Sequence, residues 1–230
     1  VRSRRQRQMC IRDRQKDLSL EGMLWEPIPS FSGQFKGNGH TISDLTITGQ
    51  YSPAGLFGIV EEQGSIESLS VRGIVSVSDS ADTTTGGIVG INHGTLINCQ
   101  FTGVVTGDSE VGGIVGRNES EGTIDHSTAR AIVTGKSSTG GIAGYNLGAI
   151  TGCTNVGSIN TEYQEASLDT DGFTAKMVDY INNKMAAADD DATNSVTNVA
   201  TDTGGIAGRS SGMILSLIHI SEPTRRTPIS

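Results

Sequence analysis

Cysteine is the first residue type in this chain that could support nucleophilic, redox or metal-binding chemistry. Cys10, Cys99 and Cys153 occur singly, and none lies in a CxxC or HxxxH pattern. Zinc sites and thiol–disulfide redox motifs place their residues at such short intervals. Isolated cysteines among apolar residues behave instead as small hydrophobic side chains. We therefore predict that Cys99 and Cys153 fill space in the core and do not react.

Histidine could supply a general base or a metal ligand. His40, His93, His126 and His219 stand in unrelated sequence contexts, without a recognisable serine or cysteine nucleophile motif beside any of them. A general base must lie within hydrogen-bond reach of the group that it deprotonates. We expect the histidines to occupy surface or turn positions.

The acidic runs DTDG at 169–172 and DDD at 189–191 could supply carboxylates to calcium. Neither run has the DxDxDG spacing of a calcium-binding loop, so solvated acidic loops are the better interpretation. The triplet Asn118-Glu119-Ser120 fits the N-glycosylation pattern, which has little weight as a short motif alone. The sequence accordingly predicts no catalytic residue, no metal ligand and no cofactor-binding residue.

The overall composition limits the classes of partner. The 230-residue chain has 25 acidic and 17 basic residues, a formal net charge of -8. Such an acidic surface repels nucleic acid and anionic membranes. Because no run of about 18 apolar residues occurs, no transmembrane helix is predicted. The 31 glycines and 4% of aromatic residues suit a single β-rich domain with an aliphatic core.

The two ends of the chain depart from this composition. The first fourteen residues, VRSRRQRQMCIRDR, contain six arginines and could form a phosphate-binding arm. However, one set of codons for MCIRDR is the reverse complement of codons for LSLIHIS at 215–221, and this oligonucleotide resembles a transposase-derived sequencing adaptor. We therefore predict that residues 1–14 and 215–230 are translated adaptor without a fold.

A glycine-rich repeat dominates the remaining residues 15–214. The motif AGLFG, GGIVG or GGIAG recurs along the chain. Its copies align on Gly55, Gly87, Gly113, Gly141 and Gly205, with spacings of 32, 26, 28 and 64 residues. The unit that begins at Gly87 contains three short β-branched segments, GIVGIN, TLINCQF and GVVTG, separated by turn residues. Three strands in so short a period predict one coil of a parallel β-helix, whereas a propeller blade needs about 40 residues or more.

Aligned residues define columns along the predicted stack. Two aliphatic columns should face inward: Ile66, Leu96, Ile124 and Ile150 in one, and Leu56, Ile88, Ile114, Ile142 and Ile206 in the other. A third column contains Asn92, Asn118 and Asn146, which either form a stacked amide ladder or take a left-handed turn conformation. Cys99 and Cys153 share a column with Ser127 between them. Two rungs separate them by about 9.6 Å, which is too far for a disulfide.

The segment WEPIPSFSGQFKGNGHTISDLTITG, followed by AGLFG and the GGIVG repeats, resembles the GLUG-motif proteins of bacterial surfaces. The resemblance covers residues 25–157 and resumes at Gly204. It implies an extracellular location and no particular reaction. Within it, residues 30–49 are predicted to form the first rung, with GNG as its tight turn.

Residues 161–203 interrupt the repeat. Phe173, Met177, Ile181 and Met185 recur at helical spacing after a capping candidate, Asp171. We predict an amphipathic helix within an insertion at about 163–199. It either packs on the outside of the coil or binds a partner.

The sequence therefore predicts an all-β parallel β-helix of three-strand rungs with one inserted helix. The predicted function is a noncatalytic repeat scaffold (stalk, spacer or adhesive surface) of a secreted or cell-surface bacterial protein, without a cofactor. Its partner would be an extracellular protein or glycan, not nucleic acid. The alternative is an accessory β-helix domain of a larger extracellular enzyme, such as a surface protease or glycan-active protein. Scattered acids and few aromatic residues weaken that alternative.

Overall fold

Short β-branched segments alternate with glycine, asparagine and serine along the chain, and each segment forms a strand. The computed structural model describes residues 12–13, 16–77, 83–160, 201–215 and 218–219. In these ranges all regular secondary structure is β-strand. The strands are short because a turn residue follows every few β-formers.

The strands follow one another coil by coil. The first are β1 (Arg12–Asp13), β2 (Leu18–Ser19), β3 (Ile28–Phe31), β4 (Gln34–Lys36), β5 (Thr41–Gly49), β6 (Phe57–Val60), β7 (Ser65–Glu67) and β8 (Ser70–Val77). The central strands are β9 (Thr84–Gly86), β10 (Val89–Asn92), β11 (Thr95–Ile97), β12 (Gln100–Thr106), β13 (Glu110–Gly112), β14 (Val115–Asn118), β15 (Thr123–Asp125) and β16 (Thr128–Thr134). The last are β17 (Ser137–Gly140), β18 (Ala143–Asn146), β19 (Ala149–Thr151), β20 (Thr154–Asn155), β21 (Ser158–Ile159), β22 (Thr201–Gly204), β23 (Ala207–Ser210), β24 (Met213–Leu215) and β25 (Ile218–His219).

The strands pair in parallel and form four sheets, which we number in the order in which the central coil from β9 to β12 passes through them. Sheet I contains β9, β13, β17 and β22, and sheet II contains β3, β6, β10, β14, β18 and β23. Sheet III contains β1, β4, β7, β11, β15, β19 and β24, and sheet IV contains β2, β5, β8, β12, β16, β20 and β25, with β21 also paired to β16. The fold is a β-solenoid of about five turns. The predicted parallel β-helix is confirmed.

The number of strands per coil differs from the prediction. The central coils contain four strands: TLINCQF divides into β11 and the start of β12, GVVTG continues β12, and the additional strand belongs to sheet I, as β9 and β13 do. Asn98 lies at the division with a φ of 52°, a left-handed conformation that ends a strand. A short strand of sheet I then precedes each glycine pair.

The pairing register confirms the glycine alignment. Val89 pairs with Phe57 and with Val115, which are 32 and 26 residues away, and Ala143 pairs with Val115 and Ala207 at 28 and 64 residues. Gly112 shows why glycine begins this part of the coil. A Cβ atom there would overlap the carbonyl oxygen of Val115, so only glycine allows the chain to fold back so closely.

Both predicted aliphatic columns lie inside the solenoid. Leu96 pairs with Ile66 and Ile124, and Ile124 pairs with Ile150, all on sheet III. The second column lies where the chain passes from sheet I to sheet II, and its members are Leu56, Ile88, Ile114, Ile142 and Ile206. All nine side chains are at most 4% exposed, so these columns form continuous apolar ladders through the core.

The chain turns from sheet II to sheet III at the asparagine corner, which consists of Asn92, Asn118 and Asn146. Each side chain is fully buried. Asn92 Nδ2 donates to Asn118 Oδ1, and Asn118 Nδ2 donates to Asn146 Oδ1, both at 2.8 Å. The amide ladder is thus confirmed. The left-handed alternative is wrong for this column, since the positive φ angles of the described residues occur elsewhere.

The chain turns from sheet III to sheet IV at the left-handed corner, which consists of Ser68, Asn98, His126 and Gly152. Their φ angles are 50°, 52°, 47° and 61°. The next residue in each coil points inward and is buried: Leu69, Cys99, Ser127 and Cys153. Here the backbone itself makes the turn, and the residue that makes it can be of several types.

The first coil begins slightly earlier than predicted. β3 starts at Ile28 and not at Ser30, because Ile28 already pairs with Phe57. The predicted GNG turn is confirmed: Asn38 and Gly39 have φ angles of 51° and 76°. Before this coil, β2 pairs with β5.

The predicted insertion at 163–199, with Phe173, Met177, Ile181 and Met185, lies outside the described residues. Most of the predicted adaptor segments also lie outside the described residues. Two short strands fall within those segments: β1 pairs with β4, and β25 pairs with β20. The predicted domain boundaries stay predictions.

Candidate interaction surfaces

The two core cysteines lie where the sequence places them. The Cys99 backbone N–H donates to Ser127 Oγ at 3.1 Å, and the Ser127 N–H lies 3.4 Å from Cys153 Sγ, so the three residues form one column. Both thiols are free and buried. Burial raises the pKa of Cys99 to about 12 and that of Cys153 to about 11. At neutral pH both thiols are therefore protonated and poor nucleophiles.

His40, His93 and His126 lie at separate surface points, and each is near a carboxylate. His40 Nδ1 is 3.2 Å from Asp17 Oδ1, and His126 Nδ1 is 2.8 Å from Asp125 Oδ1. His93 Nδ1 is 4.0 Å from Glu121 Oε2. The structure does not bring these histidines together, in agreement with the surface or turn positions expected for them.

The glycosylation triplet does not present an acceptor. The Asn118 side chain is fully buried, and its Nδ2 donates to Gly122 O at 3.1 Å as well as to Asn146 Oδ1. Attachment of a glycan would remove both hydrogen bonds and force the side chain out of the core. In this fold Asn118 is a structural residue.

The acidic runs at 169–172 and 189–191 lie outside the described residues. In the part of the chain that the structure describes, no group of three or more His, Cys, Asp or Glu residues could hold a metal ion. The same part contains no helix that is long and apolar enough to cross a membrane.

Sheet II carries a polar cluster that the sequence prediction missed. Arg117 Nη1 donates to Glu110 Oε1 at 3.0 Å, and Arg117 Nε lies 2.7 Å from Glu119 Oε1. The second contact is an ion pair by distance, although its angle does not make it a hydrogen bond. Thr84 Oγ1 also donates to Glu110, at 3.1 Å. Two carboxylates thus neutralise the one guanidinium.

Tyr145 extends this cluster along the sheet. The guanidinium carbon of Arg117 lies 5.0 Å from the centre of the Tyr145 ring, and that of Arg209 lies 5.7 Å from it. Because β18 lies between β14 and β23, the two arginines approach Tyr145 from the two neighbouring strands. Cation–π contacts of this kind stabilise the ring, but they also cover the faces on which a sugar would stack.

The column of this cluster could have been found from the glycine alignment. Arg117, Tyr145 and Arg209 each lie four residues after an aligned glycine, and the pairing register places them side by side. Ile59 and Ile91 occupy the same column in the preceding coils. Its residue types differ from coil to coil, so no recurring letter indicates it.

Sheet IV presents a second surface, on which buried and exposed side chains alternate along β8 and β16 but not along β12, whose residues 101–105 are all buried. On β8, Val71 and Val75 are buried whereas Arg72 is exposed, and on β16, Ala129 and Val133 are buried whereas Arg130 is exposed. Thr102 of β12 lies between the two arginines in register. This sheet therefore offers a regular outer face whose chemistry is set by two arginines and their neighbours.

The fold defines a parallel β-solenoid repeat protein, and comparison with known proteins gives the repeat a type. Residues 107–134 match the family model of the GLUG motif. This segment contains β13, β14, β15 and β16, so the motif corresponds to one complete coil. The predicted resemblance to GLUG-motif proteins is thus confirmed for this coil.

Longer similarity exists to two curated proteins. Halomucin of Haloquadratum walsbyi is 35% identical, over 47% of this chain and 1% of its own length. A protein of Evansella cellulosilytica, provisionally named a Gly-rich membrane protein, is 29% identical, over 44% of this chain and 16% of its own length. The chain thus spans only a small part of the relatives that it matches.

One solved structure matches part of this chain in backbone structure. It is a crystal structure of a Bacteroides ovatus protein provisionally identified as an immunoglobulin A1 protease. The match has a TM-score of 0.42 and 17% sequence identity, and it covers 67% of this chain and 73% of that one.

Proposed function

We propose that this chain is a segment of a noncatalytic repeat scaffold, acting as a stalk, spacer or adhesive surface of a secreted or cell-surface bacterial protein. The observation that carries the proposal is a constant interior beneath a variable exterior. The buried column from Leu56 to Ile206 is aliphatic in every coil. The half-exposed column on sheet II changes from Ile59 to Arg117 to Tyr145. A solenoid stabilised by contacts between neighbouring coils leaves its outer residues free to vary.

The chemistry of the candidate residues supports a noncatalytic role. The thiols of Cys99 and Cys153 are buried with raised pKa values. His40, His93 and His126 each lie near a separate carboxylate. Nucleophilic catalysis would need an accessible nucleophile beside a base.

The comparisons support placement outside the cell. The GLUG match and the names of the two relatives, halomucin and a Gly-rich membrane protein, fit a surface or extracellular repeat protein. The acidic net charge of -8 fits a partner other than nucleic acid. We also infer that residues 1–14 and 215–230 are translated adaptor. Amplification of the natural coding sequence across both junctions tests this, and native codons there would contradict it.

Duplication of one coil tests the scaffold proposal. A second copy of residues 113–140 placed after Gly140 adds one 28-residue period. The particle should lengthen by about 4.8 Å, as measured by small-angle X-ray scattering, and its thermal midpoint should stay equal or rise. The matched control inserts the same residues in scrambled order. If the duplicate unfolds, or if the scrambled insert is tolerated equally well, the coil is not an independent building unit.

The flanking coding sequence decides between the scaffold and the accessory domain of an extracellular enzyme. Further GLUG-type coils together with a signal peptide or a wall anchor would support the scaffold. A neighbouring HExxH metalloprotease domain would overturn the noncatalytic assignment for the whole protein.

A further inference from the structure

The outer face of sheet IV across β8, β12 and β16 differs in charge from its surroundings. We call it the arginine face. These three strands contain Arg72 and Arg130 and no aspartate or glutamate, although the chain has 25 acidic residues. Most acidic side chains lie elsewhere, such as Glu67 and Asp125 on sheet III. On sheet IV itself, Asp44 lies in the bulge of β5 opposite Arg72, and it accepts hydrogen bonds from Ser19 and Ser43. Across β8, β12 and β16 alone, the outer face carries only positive charge.

The two arginines of this face also differ from Arg117. Arg117 is neutralised by Glu110 and Glu119. Arg72 and Arg130 are exposed, and neither forms an ion pair with any residue that the structure describes. Thr102, only 9% exposed, lies between them in the same column. The two guanidinium groups start from backbone positions two strands apart, or about 9.6 Å.

Hydroxyl groups and aliphatic side chains flank the arginine column. On one side, at a distance of about 6.6 Å along the strand, lie Ser70, Gln100 and Thr128. On the other side lie Ile74, Val104 and Ile132, followed by Ser76, Thr106 and Thr134. Ile74 and Ile132 are partly exposed and form the aliphatic strip, whereas Val104 between them is only 5% exposed. The face therefore offers two cations, rows of hydrogen-bonding groups and these two isoleucines on one rigid platform.

We propose that the arginine face binds a linear anionic polysaccharide that runs along the solenoid axis, across the strands. Its acidic groups would pair with Arg72 and Arg130, two coils apart. Its hydroxyl groups would exchange hydrogen bonds with Ser70, Gln100 and Thr128, and the less polar side of its sugar rings would cover the aliphatic strip. The rigid sheet keeps these groups in place before binding, which lowers the entropic cost of association.

Charge density distinguishes this ligand from nucleic acid. Duplex DNA carries one charge per about 1.7 Å of its axis and would place many phosphates near Glu67 and Asp125. A polysaccharide with one acidic group per disaccharide carries few charges, and they are widely spaced. Screening confines the repulsion from the remaining acidic surface to about 8 Å at physiological salt. Sparse charge thus suits two isolated cations on an otherwise acidic protein.

The proposal goes beyond the scaffold role and does not depend on it. The test measures binding of a hyaluronan decasaccharide to the full chain by isothermal titration calorimetry at low salt, with a dextran oligosaccharide of equal length as the neutral probe. Wild-type protein should bind hyaluronan and not dextran, and the affinity should fall as salt is raised. Arg72→Gln and Arg130→Gln should each weaken binding roughly tenfold.

Arg117→Gln is the matched control, because it removes an arginine that is already paired on sheet II. It should change the affinity less than twofold. Thr128→Val tests the hydrogen-bonding row of Ser70, Gln100 and Thr128 and should weaken binding roughly threefold. Valine favours β-strands as threonine does, so the strand should be preserved. Circular dichroism checks that each variant is folded.

Three results would overturn the proposal. They are equal binding of hyaluronan and dextran, equal loss in Arg117→Gln and Arg130→Gln, and binding of a poly-glutamate peptide as tight as that of hyaluronan. The last result would indicate an acidic peptide as the ligand. None of them affects the coil-duplication experiment, so failure of this inference and failure of the scaffold proposal can be told apart.

Discussion

At the asparagine corner the side chain lies inside the coil and forms hydrogen bonds, whereas at the left-handed corner the turn residue lies at the surface and its backbone makes the turn. The first corner uses asparagine in three successive coils: Asn92, Asn118 and Asn146. The second uses serine, asparagine, histidine and glycine in successive coils. A turn made by buried amides requires one side chain. A turn made by backbone conformation accepts any residue that tolerates a positive φ.

The largest expected difference in stability between the two corners results from changing one asparagine to aspartate at each of them. Asn118→Asp removes the Nδ2 donor to Gly122 O and Asn146 Oδ1 and places an unpaired charge in the core. We expect a loss of about 3–5 kcal/mol in the free energy of unfolding, measured with denaturant. Asn98→Asp, at the exposed left-handed position, should change it by less than about 0.5 kcal/mol.

The pH dependence of the Asn118→Asp variant provides a check. Burial raises the pKa of the new carboxyl group above its unfolded value of about 3.9, so the folded state binds more protons than the unfolded state. The loss in free energy of unfolding relative to wild type should therefore be smallest near pH 4 and grow as the pH rises. Equal losses at Asn118 and Asn98 would show that the amide ladder adds nothing specific.

A second comparison uses one glycine from each corner. A Cβ atom at Gly122 would overlap Asn118 Oδ1, and it cannot move away because the Asn92 carbonyl oxygen lies 2.5 Å from it. At Gly152 the Cβ atom would lie 3.0 Å from the His126 ring, which is on the surface and can shift. Gly122→Ala should cost about 2–3 kcal/mol and Gly152→Ala about 1 kcal/mol, by denaturant unfolding. The reverse order would contradict the assigned roles.

A third prediction concerns alkaline pH and the two buried cysteines that directly follow residues of the left-handed corner. Burial raises the pKa of Cys99 from 9.0 to about 12 and that of Cys153 from 9.0 to about 11. Above pH 9 the unfolded thiols lose protons that the folded thiols keep. This contribution to stability is present below pH 9 and declines above it. The contribution of each thiol to the free energy of unfolding should fall by about 1 kcal/mol between pH 9 and pH 10.

The double variant Cys99→Ala with Cys153→Ala isolates this effect. Its free energy of unfolding is lower at neutral pH because of the lost packing, but it should fall less steeply between pH 9 and pH 10. Parallel pH profiles for the two proteins would assign the alkaline loss to other groups.

The smallest expected effect tests the tolerance of the left-handed corner. Ser68 holds a φ of 50°, which asparagine adopts at a lower steric cost than serine. Ser68→Asn should raise the thermal midpoint by about 1–2 °C, measured by calorimetry. The reciprocal change at the other corner, Asn92→Ser, should lower the midpoint, because serine lacks the second donor of the amide. A rise in both variants would remove the distinction between the corners.

The repeated parts of the fold are predictable from spacing. Ile88, Ile114 and Ile142 recur at a fixed offset from a glycine, and parallel stacking turns that offset into a column. The same offset predicts the ladder of Asn92, Asn118 and Asn146. These predictions succeed because a buried column admits few residue types.

The parts that vary are less predictable. The division between β11 and β12 depends on the φ of Asn98, and that between β15 and β16 on the φ of His126; a left-handed residue of unremarkable type leaves little trace in sequence. The cluster around Arg117 joins Glu110, Tyr145 and Arg209 across strands, and the 64-residue spacing before Arg209 hides its alignment. Contacts made between coils by residues that do not recur require the register before they can be found.

The direction of the amide ladder has a mechanical consequence. Asn92 donates to Asn118, Asn118 to Asn146, and Asn146 to Ser210 Oγ, so these hydrogen bonds lie along the axis like the pairing between coils. Tension along that axis loads the bonds of one coil at a time. A 28-residue coil that detaches releases about 95 Å of chain when extended, and a 26-residue coil slightly less. A solenoid built this way would lengthen under a pull one coil at a time and shorten again when coils restack on the coil that remains.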